Sequence, residues 1–270
     1  PYNCPVVVMA LAFIVSACSG QSASTPPAQQ AAGPTAVPAG RIDPQAILDR
    51  IKVISSDEYE GRAPGTKGEE LTVRYLEDEF KKLGLQPGNT DGTYIQKVPL
   101  VGITGTNSQP LTVAKGAQKQ TFKWSDEVVA WTKHVADGAS IKDSDLVFAG
   151  YGVEAPEFNW NDFKDADIKG KTIIVLVNDP QIPDPGDPSK LDPKMFNGNA
   201  MTYYGRWTYK FEEGARKGAA GILIVHETGP AGYPFSVVQG NLREKFDLVT
   251  PDKNMGRAAI EAWITLDAAK

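Results

Sequence analysis

The segment Gly214-Ala-Arg-Lys-Gly-Ala-Ala-Gly-Ile-Leu-Ile-Val225 is the most informative about architecture, because it joins the end of a helical pattern to a short apolar run. The helix is predicted over about 207–217 and the strand over 221–225. A second apolar run, Thr172-Ile-Ile-Val-Leu-Val177, has the same β-branched character. Such runs are typical of strands buried on both faces, and strands that alternate with helices predict an α/β or α+β arrangement.

Shorter apolar runs on either side predict more strands. They lie at 121–124, at 128–131, at 146–149 as a further buried strand, and at 262–264. Between two of the predicted strands, segment 178–199 is long and rich in proline, which favours a lid or binding loop. Its aspartates allow two interpretations, a calcium loop or a solvated surface loop, and their spacing does not match an EF-hand. These residues are Asp179, Asp184, Asp187 and Asp192.

Two amphipathic helices are predicted before the strands. Asp43-Pro44 is a helix start, with a capping side chain followed by proline at the first helical position. Thr66-Lys-Gly-Glu69 is a capping-box pattern, and Gly84 is a natural C-terminal cap. Because two helices alone make a poor core, we expect their partner sheet to lie further along the chain.

The N-terminal residues have the pattern of an export signal. Residues 5–15 are apolar but too few to span a bilayer, and Val15-Ser16-Ala17-Cys18 resembles a lipoprotein cleavage site at which Cys18 is acylated. A plain signal peptide is the alternative. Residues 19–40 are rich in Ala, Pro, Gln and Ser and predict a flexible linker. Cys4 would be removed with the signal, so no disulfide is expected.

Composition excludes few classes but counts against nucleic acid as a partner. The 270 residues carry a net charge of −5 with no basic block. The first residue is Pro1, and the end of the chain, Leu266-Asp-Ala-Ala-Lys270, resembles a first helical turn capped by Thr265. We therefore expect the chain to be part of a longer gene product.

Motifs that carry enzyme chemistry are missing from the sequence. It has no His-Glu-x-x-His, no Gly-x-Ser-x-Gly and no phosphate-binding Gly-rich loop. Its two histidines, His134 and His226, are far apart, and no cysteine pair could hold zinc. By its residues alone, the chain presents no active site.

Longer stretches carry a resemblance to a known family. The segments Ile54-Ser-Ser-Asp-Glu-Tyr-Glu-Gly-Arg-Ala-Pro-Gly-Thr-Lys-Gly68 and Tyr94-Ile-Gln-Lys-Val-Pro99 resemble the N-terminal signature of co-catalytic zinc aminopeptidases, family twenty-eight of the metallopeptidases. Leu146-Val-Phe-Ala-Gly-Tyr-Gly-Val-Glu-Ala-Pro156 and Met201-Thr-Tyr-Tyr-Gly-Arg-Trp-Thr-Tyr209 resemble a protease-associated domain, which members of this family often carry as an insert.

The resemblance implies an α/β fold in which N-terminal helices of a zinc-peptidase α/β sandwich precede an incomplete, inserted α+β domain. The implied domains are a signal peptide at 1–18, a linker at 19–40, a peptidase part at 41–105 and the insert at 106–270. The implied protein is a lipid-anchored aminopeptidase of the periplasm or outer membrane that removes N-terminal residues from peptides. Its two zinc ions would bind beyond the chain end, so the fragment alone would hold no zinc and be inactive. The alternative is a non-catalytic surface lipoprotein that binds peptides or proteins.

Few residues are candidates for contact with the peptide substrate. His226 follows a predicted strand and has two interpretations, contact with substrate or a histidine that binds loop carbonyls. Tyr204 and Arg206, with Tyr203 and Trp207, are candidates for substrate binding or for packing at the start of a helix. Arg62 has a structural interpretation, an ion pair at the start of a helix, and a functional one, support of the active-site rim.

Overall fold

The computed structural model describes residues 42–107, 109–164, 166–240 and 244–270. They belong to two compact units that divide between Gly88 and Asn89. The predicted signal peptide, linker and Cys18 lie outside the described residues. No helix within the described ranges has both the length and the apolar character needed to cross a bilayer.

Among the described residues two α-helices come first, ten strands follow with only 3₁₀ turns between them, and the other four helices lie near the last three strands. The α-helices are α1 (Pro44–Ile54), α2 (Lys67–Lys82), α3 (Trp207–Arg216), α4 (Thr228–Ala231), α5 (Phe235–Gln239) and α6 (Leu266–Ala269). Single 3₁₀ turns cover Asp57–Tyr59, Pro156–Phe158 and Tyr203–Gly205.

Most strands are short. In chain order they are β1 (Leu100–Ile103), β2 (Leu111–Lys115), β3 (Gln118–Phe122), β4 (Val128–Trp131), β5 (Leu146–Phe148), β6 (Glu154–Ala155), β7 (Trp160–Asn161), β8 (Thr172–Leu176), β9 (Pro183–Asp184), β10 (Asp187–Leu191), β11 (Gly221–His226), β12 (Lys245–Leu248) and β13 (Ile260–Thr265).

A five-stranded sheet organises the second unit, with strand order β4-β13-β11-β8-β5. The strands β13, β11, β8 and β5 run parallel, while β4 pairs antiparallel with β13 at one edge. Every residue of β11 is buried, as expected for a central strand of a parallel sheet covered on both faces.

Alternate side chains of the sheet enter two separate cores. Ile222 and Ile224 pack on one face with Phe211 of α3, whereas Leu223 and Val225 pack on the other. That second face is covered by Phe122 of the hairpin β2–β3 and by α6. Helix, sheet and hairpin therefore form three layers, and the two-residue period of a strand assigns each side chain to its core.

The first unit consists of α1, the 3₁₀ turn and α2. Asp43 and Thr66 cap the two helices through their side chains, and Gly84 ends α2 with a positive φ of 73°. Leu85 N–H then bonds to the carbonyl of Phe80 and Gly84 N–H to that of Lys81, which is a Schellman motif. The predicted caps are confirmed.

Burial in the first unit is slight. Of residues 42–88 only Tyr59 and Gly68 are buried, and α1 has no buried residue. Gly68 is needed because a Cβ there would lie 1.9 Å from the carbonyl oxygen of Tyr59. Large apolar side chains of both helices remain exposed, with Ile51 of α1 at 49% and Leu76 of α2 at 40%.

Three of the predicted strands need correction or refinement. The strand at 146–149 was predicted to be buried, but β5 is a sheet edge, so Leu146 and Phe148 are exposed. The strand predicted at 121–124 ends at Phe122 because it pairs with β2, which the sequence analysis did not identify. The compact units divide between Gly88 and Asn89, and β1 pairs with β12 inside the second unit, while the domain division predicted at 105/106 stays a prediction. Finally, the predicted strand at 262–264 is longer, spanning β13.

The long segment 178–199 is more ordered than its proline content suggested. It contains the antiparallel pair β9–β10, and Phe196 within it is fully buried. The ring of Phe196 lies 4.5 Å from that of Phe158 and 5.8 Å from that of Trp160, measured between centroids. This aromatic cluster fixes the segment to the second unit.

Candidate functional site

A cleft of about 410 Å³ lies where one end of the sheet meets α3 and α5. We call it the aromatic cleft, because aromatic side chains make up most of its wall. They are Trp131 from β4, Trp207 from α3, Tyr233, Phe246 from β12 and Trp263 from β13. Its volume and apolar lining fall within the range typical of small-molecule sites.

Two lysines supply positive charge to the aromatic cleft. The Nζ of Lys245 lies 4.2 Å from the ring centroid of Trp131, a cation–π geometry. Burial lowers the pKa of Lys245 from its usual value. The Nζ of Lys133 lies 3.3 Å from a carboxylate oxygen of Asp247 and is therefore neutralised by that partner.

A buried carboxyl group fixes one wall of the cleft. Glu261 of β13 is 1% exposed, and its Oε2 accepts a hydrogen bond of 2.9 Å from the indole Nε1 of Trp131. Burial raises the pKa of Glu261, against the opposing effect of Lys133. This hydrogen bond fixes the orientation of the Trp131 ring, over which the Nζ of Lys245 lies.

His226 lies at the end of β11 and is 4% exposed. Its ring is surrounded by those of Tyr233, Phe235 and Trp263, with centroids 5.6, 5.4 and 5.7 Å away. Its Nε2 is buried and finds no hydrogen-bond partner among the described residues. Burial lowers the pKa of His226, so the ring favours its neutral form. His226 thus packs behind two cleft walls, Tyr233 and Trp263, and its predicted substrate contact stays a prediction.

Tyr204 lies in a different environment. Its ring packs 5.0 Å from Tyr209 and 6.0 Å from Phe196, between centroids. Its hydroxyl donates a hydrogen bond of 2.7 Å to Glu157, and that bond raises the pKa of Tyr204 to about 12. These contacts are those of a packing residue in the aromatic cluster around Phe196.

The remaining candidates near the start of α3 diverge. Arg206 is exposed and precedes the helix, while Trp207 is 38% exposed and lines the aromatic cleft. The hydroxyl of Tyr203 donates a hydrogen bond of 2.8 Å to Glu212 on the same helix. Of the residues weighed there, the structure brings only Trp207 to the cleft.

Arg62 binds a backbone group. Its guanidinium donates a hydrogen bond to the carbonyl of Ile54, the last residue of α1. A cation at this end of a helix is favourable, because the last carbonyls are unpaired and the helix dipole is negative there. The structural interpretation of Arg62 expected an ion pair at the start of a helix, whereas the bond shown is to a carbonyl at the end of α1.

A second cleft, of about 340 Å³, is polar and lies between α3 and the segment after β12. Thr250, Asp252 and Asn254 on its wall bond to one another, with Thr250 Oγ1 2.6 Å from Asp252 and 2.8 Å from Asn254. Asp252 also accepts a hydrogen bond from the N–H of Gly256. Its polar groups mostly serve to fold their own turn.

The aspartates of segment 178–199 are engaged by nearby donors. Asp179 accepts bonds of 2.7 and 2.9 Å from the backbone and hydroxyl of Thr202. The others cap local turns: Asp184 binds Gly186 N, Asp187 binds Ser189, and Asp192 binds Lys194 N. These bonds give Asp184, Asp187 and Asp192 a structural task in their own turns, while Asp179 joins the segment to Thr202.

The described residues do not fit a co-catalytic zinc pair. Such a site needs several histidines and carboxylates around one cavity. Within the described ranges no three His, Cys, Asp or Glu side chains form a group able to hold a metal ion. The Nε2 of His134 lies 3.0 Å from the carbonyl oxygen of Arg257, a backbone partner.

Lys245, Trp131 and Phe246 were not identified as site residues from the sequence. Trp131 lies on β4, whereas Lys245 and Phe246 lie on β12. No sequence pattern around either strand indicates that the two come together. The one local signal is Lys245-Phe246, a cation beside an apolar ring that is 45% exposed.

Comparisons with known proteins add little to this description. No family model matches the chain, and no curated protein matches it. Among solved structures, an aminopeptidase from Aneurinibacillus sp. strain AM-1 aligns with a TM-score of 0.34 and 18% identity. That alignment covers 83% of this chain and 39% of the other, so the chain spans well under half the length of that enzyme.

Proposed function

We propose that this chain is the N-terminal part of an exported zinc-dependent aminopeptidase, in which residues 89–270 form an accessory unit that binds the peptide substrate. The observation that carries the proposal is the order of the two units. A helical unit with exposed apolar faces precedes an α/β unit that has cores of its own. This order matches that of the two sequence resemblances, a peptidase start followed by an inserted domain.

No step of peptide hydrolysis is assigned to a described residue, because those residues do not fit a zinc pair. We propose that the zinc ligands and the general base come from chain beyond Lys270. The second unit would then bind and orient peptide at its aromatic cleft, which offers apolar walls and an ammonium group.

The test compares the chain that ends at Lys270 with the complete gene product. Both are purified, dialysed against zinc, and measured for bound metal and for hydrolysis of aminoacyl-nitroanilides. We expect stoichiometric zinc and turnover above a metal-only blank in the longer protein alone. Zinc with turnover in the shorter chain would overturn the placement of the site, and no turnover in either would overturn the peptidase assignment.

A second candidate function is a non-catalytic lipoprotein that binds peptides. The aromatic cleft favours it, since binding there needs no residue outside the second unit. Peptide binding by a complete gene product that neither holds zinc nor hydrolyses aminoacyl-nitroanilides would establish this alternative.

We also propose a lipid anchor at Cys18 that holds the protein in the periplasm or at the outer membrane. The Val15-Ser16-Ala17-Cys18 run supports it. Expressed in a Gram-negative host, the precursor should incorporate labelled palmitate, and Cys18→Ser should abolish the label. Equal labelling of both proteins would refute the anchor and leave a plain signal peptide.

A further inference from the structure

We propose that the aromatic cleft binds the free C-terminal carboxylate of a peptide whose last residue is aromatic or large and aliphatic. The apolar side chain would enter between the rings, and the carboxylate would accept hydrogen bonds from Lys245. This inference rests on the peptide-binding part of the proposed function and not on its catalytic part.

The first argument is the state of the Lys245 ammonium. Its Nζ faces the ring of Trp131 at 4.2 Å, and none of the described residues gives it a hydrogen-bond acceptor. A half-buried ammonium group with free N–H donors is costly unless an acceptor reaches it. A carboxylate is the acceptor that gives the strongest such bonds.

The second argument is that the neighbouring charges leave Lys245 available. Lys133 is bound to Asp247, with 3.3 Å between nitrogen and oxygen. Glu261 attracts Lys245 through space, but the hydrogen bond shown at its Oε2 comes from the indole N–H of Trp131 and not from Lys245. Of the two ammonium groups in the cleft, Lys245 is therefore the one that can receive a ligand.

The third argument concerns the walls, which suit a bulky side chain. Trp263 is 2% exposed and forms the floor, while Trp207 and Phe246 at the mouth are 38% and 45% exposed. Rings that are partly exposed around a concave site gain most from contact with another flat or bulky apolar group. A fatty acid also joins apolar surface to a carboxylate, but a wall of rings favours an aromatic side chain over a thin alkyl chain.

The test uses acetyl-Ala-Ala-Phe with a free C-terminal carboxylate, the same peptide as its C-terminal amide, and decanoate. Binding to the full chain is measured by titration calorimetry. We expect the free acid to bind about tenfold more tightly than the amide, the scale of one charge-assisted hydrogen bond. If the unaltered protein binds the acid and the amide with equal affinity, the proposal is overturned. Binding of decanoate without binding of the peptide would overturn it too.

Two variants separate the roles of charge and wall. Lys245→Met keeps the apolar stem over Trp131 but removes the ammonium, and it should reduce the acid-to-amide preference to within about twofold. Trp207→Ala should weaken acid and amide alike and leave their ratio unchanged. Lys119→Met, at an exposed position of the hairpin β2–β3, is the matched control and should change neither. An undiminished preference in Lys245→Met would overturn the assignment.

The outcome is independent of catalysis. A C-terminal preference in this chain, combined with no turnover by the complete gene product, would support the cleft and reject the peptidase assignment. Turnover by the complete gene product, combined with equal binding of acid and amide, would do the reverse.

Discussion

The units 42–88 and 89–270 follow the same local rules but differ in what they bury. Helices α1 and α2 of the first unit have side-chain caps, while α3 of the second has none at its start. Yet α1 buries no residue, whereas α3 buries Tyr209, Lys210, Phe211, Glu213 and Gly214. Well-formed caps therefore do not indicate a packed helix.

The difference shows what each kind of stability depends on. A helix cap satisfies backbone groups within a few residues of itself and is worth about 1 kcal/mol. Burial needs partners that are distant in the chain, and the second unit obtains them from the parallel sheet. We therefore expect mutations of equal chemistry to have unequal effects in the two units.

The largest difference should come from one substitution made in both units. Ile224→Ala in the fully buried β11 should lower the free energy of unfolding by about 2–5 kcal/mol, because it leaves a cavity. Ile51→Ala, at a residue that is 49% exposed, should change it by less than about 0.5 kcal/mol. All five tryptophans lie in 89–270, so urea unfolding followed by tryptophan fluorescence reports the second unit. Circular dichroism reports the helices of both units. A comparable cost for Ile51→Ala would mean that the face of α1 is covered in solution.

The next effect comes from a charge that only the second unit buries. Lys210 is 1% exposed, its Nζ donates to the carbonyl of Asn178 at 3.0 Å, and burial lowers its pKa to about 7. Between pH 7 and its usual pKa of 10.5, the unfolded chain binds this proton and the folded chain does not. The free energy of unfolding should therefore rise with pH across this window, by at most about 1.4 kcal/mol per pH unit.

The check for Lys210 is urea unfolding across that pH range. In Lys210→Met the rise should be absent, whereas the exposed control Lys119→Met should retain it. Since other groups titrate in both proteins, the difference between the two slopes is the measured quantity. Identical slopes would show that Lys210 stays protonated in the folded protein.

A smaller effect is expected inside the first unit. Gly68→Ala places a Cβ 1.9 Å from the carbonyl oxygen of Tyr59, so the turn and α2 must move apart at a cost of about 1–3 kcal/mol. The helical circular dichroism should melt at lower temperature, while tryptophan fluorescence stays unchanged. Gly88→Ala is the control, since its Cβ would meet no atom within 4 Å. A tryptophan transition that shifts to lower temperature together with the helical one in Gly68→Ala would show that the two units unfold together.

The smallest effect should follow from breaking the exposed ion pair between α1 and α2. Arg50 Nε lies 3.1 Å from Glu79 Oε2, and hydrogen bonds from Lys82 and Arg50 lower the pKa of Glu79. Arg50→Gln should slightly lower the melting temperature of the helices at low salt. The difference should vanish at about 1 M salt, where screening acts over about 3 Å. A difference that persists at high salt would indicate that this surface is shielded from solvent.

Much of the fold could be predicted from local patterns. The apolar runs of β8 and β11 were identified as strands, and Asp43, Thr66 and Thr265 as caps, because each signal lies within a few residues. The burial of β5 was predicted wrongly, since the same run of apolar letters can lie at a sheet centre or at its edge. Strand β12 was missed because its pairing with β1 involves a distant segment and its residues alternate with charges.

The candidate site was harder to predict than the fold. His226 was singled out as the end of a buried strand, and the structure places it there, but facing Tyr233, Phe235 and Trp263. Tyr204 was a candidate for substrate binding or for packing at the start of a helix, and its ring lies beside that of Phe196. Tyr204 and Trp207 are close in sequence, but Tyr204 packs beside Phe196 while Trp207 lines the aromatic cleft. Their spacing in the sequence does not indicate which of them faces a cleft.

Most helices and the buried strands can be located from local patterns, because caps, periodicity and apolar runs act over a single turn or strand. The three-dimensional arrangement sets which strands lie at the sheet edge, which side chains enter each core, and that Lys245 covers Trp131. Those outcomes depend on strand order and on contacts between distant segments. Apolar surface is removed from water only when these distant segments pack together, so no single segment provides the favourable free energy of burial.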